Sequence, residues 1–151
     1  MTDTNRSAAL PLKGARILIA GAASLVGSHT ADALLAAGAG EVVLLDNYAF
    51  GTPEAVAHLK GDARVKFVKG DVMRLPDLLA ATQDVDGVLL LAAYMTLGFA
   101  QTPWEAIDVN IRGAQNVLEA CRVNRVRKLL FASSTSLLRT SPFLCSRFCF
   151  S

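Results

Sequence analysis

The chain has 151 residues, 52% of them apolar and 19% charged, enough to build one sizeable core and one domain. Fifteen Lys and Arg against 13 Asp and Glu leave a formal charge of +2, which excludes a protein that works by neutralising nucleic-acid phosphates. Apolar runs such as 16–26 and 87–97 are broken by Gly, Ser or Thr well short of the ~20 residues of a spanning helix, so no membrane insertion is expected.

Residues 1–13 carry Asp3, Asn5, Arg6, Ser7 and Pro11 and no apolar stretch of secretory length; they read as a flexible segment without a secretory or amphipathic presequence, which makes the cytoplasm the expected compartment. From residue 16 onward, apolar runs of strand length alternate with stretches of helix length, the pattern of a parallel sheet covered by helices. Strands are predicted at 16–20 (RILIA), 41–45 (EVVLL), 65–69, 87–91 (GVLLL) and 128–132 (KLLFA), and their apolar character suits burial on both faces. Helices are predicted at 25–37, 53–60, 76–82 and 103–123, three of them opened by proline. Thr102, Pro103 and Glu105 read as a T-x-x-E capping box for the last helix. Arg122, Arg125, Arg127 and Lys128 read as its solvated end rather than a phosphate patch.

Cys121, Cys145 and Cys149 lack metal-ligand spacing and stand apart from His29 and His58, so reduced thiols and no metal are expected. The composition changes after Ser136. The last fifteen residues contain no acid and hold three of the seven phenylalanines and two of the three cysteines, without strand or helix periodicity.

The first predicted strand runs into Gly21-Ala-Ala-Ser24-Leu25-Val26-Gly27, where the chain must turn sharply into a helix. Glycine at such a turn lets backbone bend tightly, approach a pyrophosphate and pack helix on strand, while helix N-terminal N–H groups hold the phosphates. Gly21 and Gly27 fit the first and last of these roles. Ser24 takes the middle one, where its Cβ crowds the pyrophosphate and its hydroxyl offers a donor. Nineteen residues past Gly27, Asp46 ends the second strand, where a carboxylate accepts hydrogen bonds from both ribose hydroxyls of an adenosine. An acid there repels a 2′-phosphate, so NAD is expected rather than NADP.

Residues 14–136 resemble the N-terminal part of the extended short-chain dehydrogenase/reductase superfamily, in its NAD-dependent sugar-nucleotide epimerase/dehydratase branch. The resemblance runs through ILIAGAASLVGSHTADALLAAG, VVLLDN, FVKGDV, VDGVLLLAA, VNIRGAQNVLEACR and KLLFASST. It implies a three-layer α/β Rossmann fold with five parallel strands in the order 3-2-1-4-5 and NAD at the ends of strands 1 and 2. By the same resemblance Gly21, Ser24, Leu25, Val26 and Gly27 form the pyrophosphate loop, and Asp46 and Asn47 hold the adenosine ribose. Asp71 and Val72 lie beside adenine, Leu91, Ala92 and Ala93 line the cofactor trough, and Asn110 is the helix asparagine that supports the active site. Ser134 would orient the reacting hydroxyl of a nucleotide-linked sugar.

The resemblance also shows departures. Ser24 replaces a glycine, Leu90 stands where many members have His, and Ala114 where Thr is common. A Tyr-x-x-x-Lys should follow the serine by roughly two dozen residues, its lysine lowering the tyrosine pKa for general-base work. The two tyrosines are Tyr48 and Tyr94, and neither has Lys four positions on. The expectation is therefore an NAD-binding portion of a longer epimerase or dehydratase, truncated or frame-shifted after Ser136, with catalysis incomplete and 137–151 a poorly ordered tail outside the family pattern. A non-catalytic NAD-binding module and a fragment without function are the alternatives. A nucleotide sugar is the expected substrate of the full-length family, and a homodimer a further expectation.

Overall fold

A computed structural model describes residues 9–133. It holds one five-stranded parallel sheet in the order β3-β2-β1-β4-β5, with β1 at Arg16–Ala20, β2 at Glu41–Asp46, β3 at Val65–Lys69, β4 at Gly87–Leu90 and β5 at Lys128–Phe131. Helix α1 (Leu25–Ala36) and a 3-10 helix (Pro53–Leu59) cover one face. Helices α2 (Leu75–Ala81) and α5 (Ala114–Val123) cover the other. The result is the three-layer Rossmann architecture, in which alternate residues of one strand feed two cores: Ile17 and Ile19 point to the α1 side, Leu18 and Ala20 to the α2/α5 side.

The central strands are buried as their apolar runs predict, whereas β3 and β5 are not. β5 is the sheet edge, and Leu130 and Phe131 are 55% and 58% exposed, because nothing among the described residues packs outside them. The chain at 53–60 also departs from the expected α-helix. It closes with i→i+3 bonds such as Ala55 N–H to the Thr52 carbonyl (3.1 Å) and Lys60 N–H to the Ala57 carbonyl (3.2 Å), making it 3-10.

The largest correction concerns 103–123. The expected single α-helix is a composite of α4 (Pro103–Ile107), a π-helical turn (Asp108–Gly113) and α5, preceded by a short helix α3 (Thr96–Gln101) that the sequence did not announce. The Thr102/Glu105 capping box does not form. Thr102 sits at the end of α3, where its hydroxyl donates back to the Gly98 carbonyl (3.3 Å), and its side chain makes no cap bond. Glu105 is engaged elsewhere, by the hydroxyl of Tyr94.

The buried polar residues between α2 and α5 are satisfied. Thr82, fully buried, donates to the Leu78 carbonyl (2.8 Å) and accepts from the Asn124 amide (2.8 Å), which also donates to the Leu79 carbonyl. Asn124 thereby ties the end of α5 to the end of α2. Two members of the nearby basic cluster are paired with acids, Arg122 with Glu119 at 2.7 Å and Arg127 with Asp86 at 3.4 Å. No helix among the described residues is long and apolar enough to cross a membrane.

Candidate functional site: the cleft at the carboxyl ends of the strands

The order of β1 between β2 and β4 makes this the switch point of the sheet, where loops leave in opposite directions and open a crevice. The crevice is a cleft of about 250 Å³. Of the residues expected to bind cofactor, Gly21, Ser24, Asp46, Asn47, Asp71, Val72, Leu91, Ala92 and Ala93 line it together.

Its near wall is the β1–α1 turn. Gly21 has φ +89°, and a Cβ there would lie 2.5 Å from the Ala92 nitrogen, so a side chain is barred both by the backbone angle and by the β4 loop. Gly27 lets α1 settle on the strand exit: its Cβ would lie 2.5 Å from the Ala22 carbonyl oxygen. Ser24 is the N-cap of α1, with its Oγ accepting from Gly27 N–H (3.0 Å) and donating to the Gly21 carbonyl (2.9 Å). The hydroxyl proton thus goes to the loop itself. The N–H groups of Leu25 and Val26, in the first turn, have no intrahelical acceptor, and their side chains point to solvent.

Asp46, at the end of β2, accepts from Ala23 N–H through Oδ2 (2.8 Å) and from Tyr48 N–H through Oδ1 (2.8 Å). These bonds orient the carboxylate and leave lone pairs on both oxygens. Asn47 donates to the Asp71 carboxylate (3.1 Å), joining the β2 and β3 loops. Asp71 also accepts from Met73 N–H (2.8 Å). Val72 borders the cleft but buries its side chain in the α2/α5 core, and its carbonyl accepts from Asn116 (3.0 Å).

Asn110 does not line the cleft. It lies in the π-helical turn, and its amide clamps the backbone of Tyr94 from both sides, accepting from Tyr94 N–H (2.8 Å) and donating to the Tyr94 carbonyl (3.0 Å). Ser134 lies outside the described residues. Residues that the sequence reading missed complete the lining: Phe50 in the loop after β2, and Tyr94, Glu105, Asp108 and Val109 on the far wall. The Glu105 carboxylate, hydrogen-bonded to the Tyr94 hydroxyl, pushes that phenol above its ordinary value, with burial and the Asp71 charge adding to it. Tyr94 is thereby kept protonated and unsuited to act as a base near neutrality. Cys121 is no nucleophile either, since burial pushes its thiol up to about 11. Among the described residues there is no cluster of His, Cys, Asp and Glu that could hold a metal ion.

Comparison with known proteins agrees with this geometry. The model of the NAD dependent epimerase/dehydratase family matches residues 17–139. A UDP-glucose 4-epimerase of Lacticaseibacillus casei is 32% identical over 123 residues, 80% of this chain and 35% of that protein. The UDP-glucuronic acid decarboxylase 1 of Arabidopsis thaliana is also 32% identical, over 81% of this chain and 27% of its own length. Among solved structures, an epimerase of Methanothermobacter thermautotrophicus superposes with a TM-score of 0.75 at 29% identity, over 82% of this chain and 36% of its own. A UDP-glucose-4-epimerase of Stenotrophomonas maltophila, solved with bound NAD and formylated UDP-arabinopyranose, gives 0.73 at 28% identity, over 81% of this chain and 38% of its own. The chain thus spans between 27% and 38% of the length of these four relatives. With the family model covering most of its length and the sheet, turn and cleft arranged as described, the chain belongs to the NAD dependent epimerase/dehydratase family.

Proposed function

We propose that residues 14–136 are the NAD-binding domain of an enzyme that exchanges hydride between NAD and a hydroxyl of a nucleotide-linked sugar. The observation that carries this reading is the pairing, in one cleft, of the turn residues Gly21 and Ser24, which lead into α1, with the oriented carboxylate of Asp46; Leu25, Val26 and Gly27, at the start of α1, adjoin this lining without being part of it. Two-electron chemistry would be supplied by the dinucleotide when bound. The residues present fit it: N–H groups of Leu25 and Val26 for the pyrophosphate, lone pairs of Asp46 for the ribose hydroxyls, and Asn47, Asp71 and Val72 for adenosine. Leu91, Ala92 and Ala93 offer a smooth wall along which the rest of the molecule would lie. Gly21 and Gly27 shape the loop, Ser24 caps it, and Asn110 fixes Tyr94 on the opposite wall.

Ser134 would orient the sugar hydroxyl. No Tyr-x-x-x-Lys occurs in the 151 residues, so these residues account for cofactor docking and not for removal of the proton. An exposed apolar row, Trp104, Ile107, Ile111 and Leu118, runs along α4, the π-turn and α5, and supports pairing with a second copy.

The test is a calorimetric titration of the 151-residue chain with NAD, and with NADP as the control for Asp46, alongside a thermal melt. Saturable binding of NAD, with NADP weaker by at least tenfold, is the expected result. A cooperatively folded chain that binds neither would overturn the reading.

A further inference from the structure

One contact in the cleft has no part in the reading above. Phe50 reaches in from the loop after β2 and Tyr94 from the loop after β4, and their rings meet edge to face, centroids 4.7 Å apart at 88°. Both line the cleft. The contact therefore joins the wall that carries Asp46 to the wall that carries Ala92 and Ala93.

Each ring is placed by its own segment. Tyr94 is held at two backbone points, its N–H and carbonyl, by Asn110, with the Glu105 carboxylate beside its hydroxyl. Phe50 is placed by backbone. Tyr48 has φ +61°, a left-handed conformation that bulky residues rarely adopt, and its N–H is bound to Asp46 Oδ1 (2.8 Å). Ala49 N–H is bound to Asn47 Oδ1 (2.9 Å). Beyond Phe50, Gly51 passes so close to the β1–α1 turn that a Cβ would collide with the Ala23 carbonyl. Phe50 itself is 68% exposed, so it can swing outward while Tyr94 stays fixed. The residue that holds the jaw, Asp46, is the one proposed above for the ribose hydroxyls.

The charge balance of the cleft makes these rings matter. Asp46, Asp71, Glu105 and Asp108 line it, and no Lys or Arg does among the described residues. An anionic ligand gains no ion pair there, so its hold rests on backbone N–H groups, on acceptors for its hydroxyls and on apolar contact. Phe50 and Tyr94 are the largest rings available for that contact, and aromatic contacts of this kind contribute beyond their buried area.

Resting on the dinucleotide reading, we propose that Phe50 and Tyr94 form an aromatic clasp for the nucleoside half of the ligand. The pair parts to admit the dinucleotide and closes on it, with Phe50 the moving member, and it sets how long the ligand stays. A clasp of rings instead of cations also selects for an uncharged nucleoside face over an added phosphate.

The experiment is stopped-flow binding and calorimetry on the full chain, using NAD and adenosine diphosphate ribose, which keeps the adenosine half and lacks the nicotinamide. Phe50→Ala should speed dissociation of both ligands about tenfold and weaken both affinities to match. Phe50→Tyr should restore them, and Tyr94→Phe, which keeps the ring and loses the bond to Glu105, should change them less than about threefold. A thermal melt within a few degrees of wild type is expected for Phe50→Ala, since the side chain is exposed; Phe50→Leu, with an intermediate effect on release, is the second variant. Release rates and affinities within twofold of wild type in Phe50→Ala would overturn the clasp while leaving the dinucleotide reading intact. A wild-type chain that binds neither ligand would overturn both, which keeps the two failures distinct.

Discussion

The two walls of the cleft are built by different physics. The near wall, the seven residues from Gly21 to Gly27 with Asp46 nineteen positions on, has its turn enforced by sterics: Gly21 at φ +89° under Ala92, Gly27 against the Ala22 carbonyl. The far wall gathers Val72, Tyr94 and Glu105 from a span of more than thirty residues and is held from behind by side-chain hydrogen bonds of Asn110 and Asn116. A steric wall tolerates nothing larger than what is there, whereas a hydrogen-bonded wall loses one bond at a time. Changes to the near wall should therefore damage the fold itself, and changes to the far wall should tune the shape of the site.

The sharpest test of that difference is Gly21→Ala. One methyl group combines a disfavoured backbone angle with a 2.5 Å clash against backbone, and should destabilise the fold by about 3 kcal/mol or more. Urea unfolding checks it, with Gly61→Ala as the control: no atom lies within 4 Å of a Cβ at Gly61, and the change there should stay within about 0.5 kcal/mol. Comparable losses for the two would refute the steric account.

Asp46→Asn comes next. It replaces an ionised acceptor that serves Ala23 N–H and Tyr48 N–H by an amide that accepts on one side only and presents a donor to the other N–H. A loss of about 2 kcal/mol is expected, together with loss of the preference for NAD over NADP in calorimetry. On the far wall, Asn110→Ala removes both bonds to Tyr94 and should cost about 1–2 kcal/mol. Asn110→Asp keeps the acceptor for Tyr94 N–H but turns a carboxylate oxygen toward the Tyr94 carbonyl, and should lose at least as much. Hydrogen exchange at the Tyr94 amide follows the local effect in both variants.

The same division decides what could be read without coordinates. The strands, the glycine turn and the acid at the end of β2 follow from local rules, because short runs of residues settle each of them, whereas the strand order came from the family resemblance. The edge position of β5 escapes such a reading, since Lys128–Phe131 has the same apolar run whether or not a neighbour covers it. The far wall escapes for a related reason. Thr102 and Glu105 have the spacing of a capping box, but α3 ends at Thr102 and takes its hydroxyl, and Tyr94 takes Glu105. Local preference lost to tertiary partners. The resemblance makes Asn110 a supporting helix residue, but its partner, the backbone of Tyr94 sixteen residues earlier, has no sequence signature. The one available signal was chemical: Tyr94 and Phe50 are aromatic residues in loops that flank the expected cofactor trough.

The smallest expected effect isolates a single bond of the far wall. The Tyr94 phenol is raised first by its hydrogen bond to the Glu105 carboxylate, then by burial, then by the charges of Glu105 and Asp71. A raised folded-state value means that the folded chain holds this proton after the unfolded chain has released it. The stability contributed by the bond is therefore fully present below the ordinary tyrosine range near pH 10, and is lost as pH climbs through the raised value. Ultraviolet difference titration of the phenol checks this. In wild type, the transition assigned through Tyr94→Phe should lie above the ordinary range, and Glu105→Gln, which keeps an acceptor and removes the charge, should bring it down. Because Asn110 and not Glu105 fixes the backbone at this position, the fold should survive that change with its melt almost unmoved. A transition that stays in place in Glu105→Gln would show that burial, and not the carboxylate, holds the proton on Tyr94.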